Sequence, residues 1–503
     1  MNIHSLDFLI FFFLVILFYY MLPARTRWGF LLAASYFFYI SWSLKYLALL
    51  ITITAVTYVC GISMERCGST LKKRLLLVVG LSVPLFILIF YKYWDFILSQ
   101  FSTGTGSLNL VLPVGISFFT FKATSYLIEM YRSTPPVRSH GKNVGIYALY
   151  VSFFPQLLAG PIEPPAHLLP QLGQQVEFRF QHVADGLKLM LWGYFKKLVI
   201  ADNLALVVNR VYDNIHGYQN GIYYLIATVL FAFQIYCDFS GYSDIAIGAL
   251  EVLGFKSGKN FDRPYYAKTM NEFWLRWHIT LSSWLRNYLF LPISYAILRH
   301  TTRDRILRIK VDTWAYLGAI AVTMFLGGLW HGANWTFIIW GLLMGFYMLF
   351  GFITRKTRKK IRKFLGIKKS RWWYKGFQGL ITFTFVCIGW IFFRANSLQD
   401  AFYILTHLLM GVLGFLRTLF LHLDASGLAK IGKVLHLSSM RVIGMVMAIG
   451  MLAIVDWLQG RGSVRTLLQQ KPLVLRWVLY YILIFSIVYF GIHKTSPFIY
   501  SQF

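Results

Sequence analysis

The sequence predicts an all-α, polytopic membrane protein, and three observations predict it. Apolar residues make up 57% of the 503 residues and charged residues only 14%, against about 25% charged in a soluble domain. The apolar residues fall into runs approaching the length of about 20 that a helix needs to cross a hydrocarbon core. The basic residues cluster between those runs. Together these features exclude a disordered chain, a secreted disulfide scaffold and an ordinary cytosolic enzyme. A formal charge of +30 would point to nucleic acid in a soluble chain. Here the bias of Lys and Arg toward cytoplasmic loops accounts for it, and no nucleic-acid partner is expected.

The first apolar run, 8–22, carries no charge, and no Lys or Arg precedes it. It lacks the basic n-region of a signal peptide and reads as a retained first helix. Arg25 and Arg27 follow at once, which places the N-terminus outside and the two arginines in the cytoplasm. Further candidate spans are 29–43, 46–62, 75–91, 146–158, 187–200, 222–237, 314–326, 337–352, 376–393, 401–420, 442–457 and 477–492. They give roughly 11 to 13 membrane elements, some short or polar enough to be re-entrant. Lys72, Lys73 and Arg74 form one basic run, and 355–375 holds eleven Lys or Arg with no acid. Topology alone explains that loop as cytoplasmic; contact with anionic headgroups is the second reading. Arg461, Arg465, Lys471 and Arg476 precede the last apolar run and only Lys494 follows it. The last helix is therefore expected to run from inside to outside, leaving 497–503 at the outer surface and an even number of full spans. These features imply a multi-pass protein of a cell membrane. Cys60, Cys67, Cys237 and Cys387 form no CxxC pair and read as structural thiols. The stretch 162–185, rich in Pro and Gln, reads as a surface loop or interfacial segment.

Ionisable groups within membrane segments are costly and mark functional sites by default. The middle of the chain concentrates them. Asp238 and Asp244 lie six apart with Ser240 and Ser243 between them, too polar for a lipid-facing helix and suited to a broken helix lining a cavity. A structural polar network is the other reading. In 260–291, a helix would put Trp274, His278, Leu281 and Leu285 on one face, with Glu272, Arg276, Ser283 and Arg286 mostly on another. That pattern fits an amphipathic interfacial stretch, and a lone His there is more often packed than catalytic. His331 lies in an apolar stretch with Gly327, Gly328 and Gly332 close by. Glycine permits close backbone approach, and a neutral imidazole exchanges a proton near pH 7. No HxxxH or HxxE pair adjoins it, so no metal is expected.

At these residues the sequence resembles the membrane-bound O-acyltransferase (MBOAT) family, and within it the bacterial alginate O-acetyltransferase (AlgI-like) branch. The resemblance rests on motifs in order: LPVGISFFTF at 112–121, FFPQLLAGPI at 153–162, YCDFSGYSD at 236–244, the segment 273–288, LWHG at 329–332 and FFRA at 392–395. It implies a ring of membrane helices around a tunnel, formed by a single membrane-embedded domain over 1–503. The family core is expected at about 105–400, with a last helix and outer tail at 477–503. It carries over His331 as the family's invariant histidine and His278 as its second characteristic polar position. Three departures leave the substrate subclass open: Leu275 before Arg276 where the family usually has a second Arg, Asn287 after Arg286 where Asp is usual, and Glu163 where a basic residue is common.

The ending Phe498-Ile499-Tyr500-Ser501-Gln502-Phe503 is similar to the FxYxxF ending of the small partner subunit of teichoic-acid D-alanylation, and is typical of this branch. There the tyrosine is thought to carry the acyl group. Tyr500 is either that carrier or an interfacial aromatic anchor; as a nucleophile its phenol, of pKa about 10, needs a base. The resemblance thus implies a membrane O-acyltransferase. Acetyl-CoA donates from the cytoplasm, His331 is general base, and His278 orients or shuttles the proton. Tyr500 is the acyl acceptor, and an extracellular SGNH-type transferase passes the acetyl group to a cell-surface polysaccharide. Lys196, Lys197 and Arg276 are candidates for the phosphates of coenzyme A. Alternatives are a D-alanyl transferase and a transporter of polysaccharide or lipid-linked sugar; the absence of internal repeats argues against the transporter.

Overall fold

The computed structural model describes residues 1–101, 108, 110–158, 160–218, 220–301, 304–307, 309–421 and 438–492. Among them, the regular structure is helical apart from one two-stranded ladder that pairs Arg305–Ile306 with Ile309–Lys310. Among the described residues, eight helices are long and apolar enough to cross a membrane: Leu44–Arg66, Thr70–Phe101, Gly221–Val252, Val311–His331, Trp335–Ile353, Trp372–Arg394, Met440–Gln459 and Leu473–Phe490. Leu6–Met21 is apolar but shorter. The chain is an all-α, multi-pass membrane protein. Several expected spans are shorter than a full crossing. Arg27–Ile40 has 14 residues, and 146–158 yields only the nine-residue helix Val144–Ser152 before the chain turns at Phe153.

Two compact units divide the chain. The first collects Met1–Tyr194 with Tyr242–Lys259. Its centre packs Leu44–Arg66 against Ile116–Tyr131 and Thr70–Phe101. Gly61 lets Tyr126 approach: a Cβ there would stand 2.7 Å from the Tyr126 ring. Tyr126 lies 4.0 Å, centroid to centroid, from Tyr147, whose hydroxyl bonds Thr57 Oγ1 at 2.6 Å. Lys122 is buried and donates to Gln156 Oε1 at 2.9 Å and to the Tyr150 carbonyl at 3.2 Å. This ties the helix that begins within the first motif to Gln156 of the second motif.

The second unit holds Phe195–Gly241 and the described residues from Asn260 on. Two sequence expectations fail here for physical reasons. Helix Gly221–Val252 runs unbroken for 32 residues, because Asp238 finds a buried cation, Lys197, at 2.6 Å and the helix need not open to satisfy it. Conversely, 270–291 is not one amphipathic helix. It divides into Met270–Trp274, Ile279–Leu285 and the π-helical turn Arg286–Phe290. Backbone groups of 260–262 take the bonds a continuous helix would use: the Ile279 N–H donates to the Asn260 carbonyl at 2.9 Å, and the Asp262 N–H to the Arg276 carbonyl at 3.0 Å. At the break His278 adopts φ 41°, ψ 55°, a left-handed conformation uncommon for a residue with a Cβ.

Val311–His331 and Trp335–Ile353 form a helical hairpin joined by residues 332–334, with Asn334 Oδ1 accepting from the Thr336 N–H at 3.0 Å. Their backbones meet at Gly328 and Gly341. A Cβ on Gly328 would run into the Phe337 carbonyl and stand 3.0 Å from the Gly341 Cα. A Cβ on Gly332 would run into the Phe337 ring, whereas one on Gly327 would meet only Leu285 Cδ1 at an ordinary 3.5 Å. The cluster of glycines is thus a helix crossing three residues before His331.

Candidate active site

His331 ends its helix with its side chain turned into an aromatic shell. Its ring centroid lies 4.8 Å from that of Trp340, edge-on at 87°, and 5.1 Å from that of Phe393. Trp390 stacks on Trp340 at 5.8 Å and 14°, and Trp277 closes on Trp390 at 5.0 Å. His331 is 4% exposed and His278 1%. The two histidines share one neighbour: the Trp330 ring lies 4.7 Å from His331 and 6.1 Å from His278. On its other side His278 stands edge-on to Phe239 at 4.5 Å and 89°. The structure therefore brings the two predicted histidines, 53 residues apart in sequence, to one indole.

The tautomer of His278 follows from its neighbours. Asn260 Oδ1 faces the Thr280 N–H at 3.4 Å, Thr280 Oγ1 at 2.6 Å and His278 Nδ1 at 3.2 Å. A backbone amide can only donate, so the Asn260 atom it faces is the oxygen. His278 Nδ1 on that same oxygen is then the protonated nitrogen. In the neutral ring Nε2 keeps the lone pair, and it is buried without a hydrogen-bond partner among the described residues. That is the arrangement of a proton acceptor awaiting a donor. Asn260 heads the polar stretch at 260–291, but its type alone assigns it no role; the turn it makes with Thr280 does.

The other predicted site residues lie elsewhere. Lys197, 1% exposed, donates to Asp238 Oδ1 at 2.6 Å and Asp202 Oδ1 at 2.8 Å. Its charge is matched within the protein. Lys196 is buried and donates to Ser240 Oγ at 2.9 Å. Asp238, Phe239 and Ser240 are consecutive, so two buried lysine contacts flank the residue that packs on His278. Arg276, partly buried, reaches Glu272 Oε1 from Nη2 at 2.9 Å and the Asp262 carbonyl from Nη1 at 3.2 Å. Tyr500 lies outside the described residues. Asp456, which composition did not single out, accepts from the Tyr236 hydroxyl at 3.3 Å.

Residues 31–393 match the membrane-bound O-acyltransferase family. The chain belongs to that family. This O-acyltransferase is 36% identical over 406 residues to the peptidoglycan O-acetyltransferase of Helicobacter pylori, covering 75% of this chain and 72% of the relative. It is 35% identical over 392 residues to the probable alginate O-acetylase AlgI of Pseudomonas aeruginosa, covering 76% and 70%. The teichoic acid D-alanyltransferase of Streptococcus thermophilus is 27% identical over 315 residues, covering 60% and 72%. The acyltransferase activity expected from the motifs is thereby upheld.

In the first unit, Glu163 fills the position where a basic residue was expected. It is 3% exposed. It accepts from Ser257 Oγ at 2.7 Å, the Gly258 N–H at 2.6 Å and His167 Nδ1 at 2.6 Å. Burial would push its carboxyl up, but the bonds from His167, Gly258 and Ser257 outweigh burial and hold it below the ordinary carboxylate value. The same bond to Glu163 raises His167 above the ordinary histidine value against the smaller effect of burial. The departure from the family pattern is a structural acid joining 163 to 257–258.

Proposed function

We propose that this enzyme moves an acetyl group from cytosolic acetyl-CoA across the membrane for O-acetylation of a cell-surface polysaccharide. Alginate-like exopolysaccharide, peptidoglycan and a wall polymer are the acceptor candidates, the first two after the names of the relatives that align over most of this chain. The observation that carries the reading is the pair of buried histidines that share Trp330 as a neighbour. His331 accepts the proton of an attacking hydroxyl, whose oxygen bonds to the thioester carbonyl carbon. Collapse of the tetrahedral adduct breaks the C–S bond, and the imidazolium returns the proton to the leaving thiolate. His278, its Nδ1–H anchored by Asn260, presents Nε2 to take or pass that proton. The aromatic walls exclude bulk water, which would otherwise hydrolyse the thioester.

The hydroxyl in this proposal is that of Tyr500, giving an aryl ester at the outer surface. An extracellular SGNH-type transferase then carries the acetyl group to a sugar hydroxyl and regenerates the phenol. A path through the protein is needed because charged coenzyme A does not cross a bilayer. With Lys197 already paired, the phosphates of coenzyme A fall to other cations. The protein resides in the bacterial inner membrane with its basic loops in the cytoplasm.

Replacing His331 with Ala should lower the acetyl ester on the surface polymer by roughly 10²–10⁴-fold; undiminished ester removes the proposal. Mass spectrometry of the C-terminal peptide should find an acetyl adduct on Tyr500, and a D-alanyl adduct would instead select the teichoic-acid chemistry. Full acetylation by Tyr500→Phe rejects the relay.

A further inference from the structure

The first unit contains a cleft of about 240 Å³ remote from any role in acyl transfer given above. Arg25, Arg27, Asn143, Gln174 and Gln175 supply its polar wall, Leu31 and Leu172 part of its apolar floor, and no lining residue is acidic. Arg27 is locked in place. Its Nε donates to the Leu22 carbonyl at 3.0 Å, Nη1 to the Val176 carbonyl at 2.6 Å and Nη2 to the Tyr20 carbonyl at 3.4 Å. The guanidinium also lies 5.2 Å from the centroid of Tyr19. All three acceptors are neutral carbonyls, so a fixed, partly buried cation stands beside the cleft with no carboxylate paired to it among the described residues. Glu177, the acid next in sequence to the wall, pairs with Arg179 at 3.8 Å. Arg25 is exposed at the mouth, with no hydrogen bond or ion pair among the described residues. Asn143 Oδ1 is spent on the Gly145 and Ile146 N–H groups at 3.0 and 3.2 Å, which leaves its NH₂ as a donor. The wall thus offers two guanidinium groups and three primary amides.

That donor set selects an oxyanion, and its place selects which one. The cleft lies just past the end of the apolar helix Leu6–Met21, the level at which headgroups meet a membrane protein. Guanidinium groups with converging amides suit the tetrahedral oxygens of phosphate. We propose that this cleft binds a phosphate group, either that of an anionic lipid or that of a soluble phosphate ester.

The test uses the full purified chain and two probes. Retained phosphatidylglycerol is counted against phosphatidylcholine by native mass spectrometry, and inorganic phosphate is titrated by equilibrium binding. Because the cations at 355–375 also attract anionic lipid, wild type is compared with Arg25→Gln and with Gln174→Leu, both in the polar wall. Neither residue makes a side-chain bond among the described residues, and gel filtration checks the fold of each. Phosphatidylglycerol held about fivefold more weakly by both variants, and not displaced by inorganic phosphate, assigns the cleft to lipid. Saturable phosphate binding that both variants lose assigns it to a soluble ester. Variants that match wild type with both probes, or a wild type that binds neither, overturn the proposal.

Discussion

Asn260 holds the ring of His278 through one oxygen: His278 Nδ1 lies 3.2 Å from Asn260 Oδ1, which also accepts from Thr280 Oγ1 at 2.6 Å. Removing that oxygen frees the proton to sit on either ring nitrogen and frees the ring to turn. Asn260→Ala should therefore lower kcat for acetyl transfer roughly 10²-fold while KM for acetyl-CoA stays within about twofold. Asn260→Asp keeps an oxygen acceptor and should recover most of the rate. An unchanged kcat in the alanine variant, or equal losses in both, would show that Asn260 does not act through the imidazole.

The glycines before His331 differ in what they tolerate. Gly328 packs against the Phe337 carbonyl and the Gly341 Cα, while Gly327 has room for a methyl group against Leu285. Gly328→Ala must force the two helices apart, at about 1–3 kcal/mol, and should shift His331 relative to Trp340. Gly327→Ala should be nearly neutral or slightly stabilising. Thermal unfolding of the two detergent-solubilised variants checks this, and equal midpoints contradict it.

The legible part of this protein was whatever repeats along the chain. Apolar runs located most of the long helices, and the polar motifs located both histidines. Contacts between distant residues were not legible. Asp238 looked like a helix breaker because its counter-ion, Lys197, stands 41 residues away. The break at His278 was hidden for the opposite reason: 270–285 has good helical periodicity, and what defeats it is the backbone of 260–262. Trp330 is next to His331 in sequence, yet its contact with His278 depends on that break.

Lys197 carries the buried charge balance of its region, with Asp202 and Asp238 both on its Nζ. Lys197→Met takes the shared cation away from two buried carboxylates, which should cost about 3–5 kcal/mol. Adding Asp202→Asn and Asp238→Asn removes the stranded charges and should restore much of the loss, because the neutral amides can remain hydrogen-bonded. A single variant as stable as wild type means that Lys197 does not hold this network; a triple variant no better than the single means that packing, not charge, sets the cost.

The Glu163–His167 pair makes a pH-dependent contribution whose sign is fixed by the two shifts. Glu163 is depressed, so its stabilisation is complete above the ordinary value of about 4.5 and is lost as pH falls through its lower folded value. His167 is raised, so its stabilisation is complete below about 6.5 and is lost as pH rises through its higher folded value. His167 is half exposed, and solvent screening keeps its share small. Both contributions are in place only between about pH 4.5 and 6.5. Glu163→Ala also strips an acceptor from the Gly258 N–H and Ser257 hydroxyl, at about 1–3 kcal/mol. The gap in thermal midpoint between wild type and Glu163→Ala should therefore be widest near pH 5–6, narrow modestly by pH 8 and narrow again as acidification protonates the carboxylate. A gap that stays constant from pH 4 to 9 would mean the carboxylate is not stabilised by these partners.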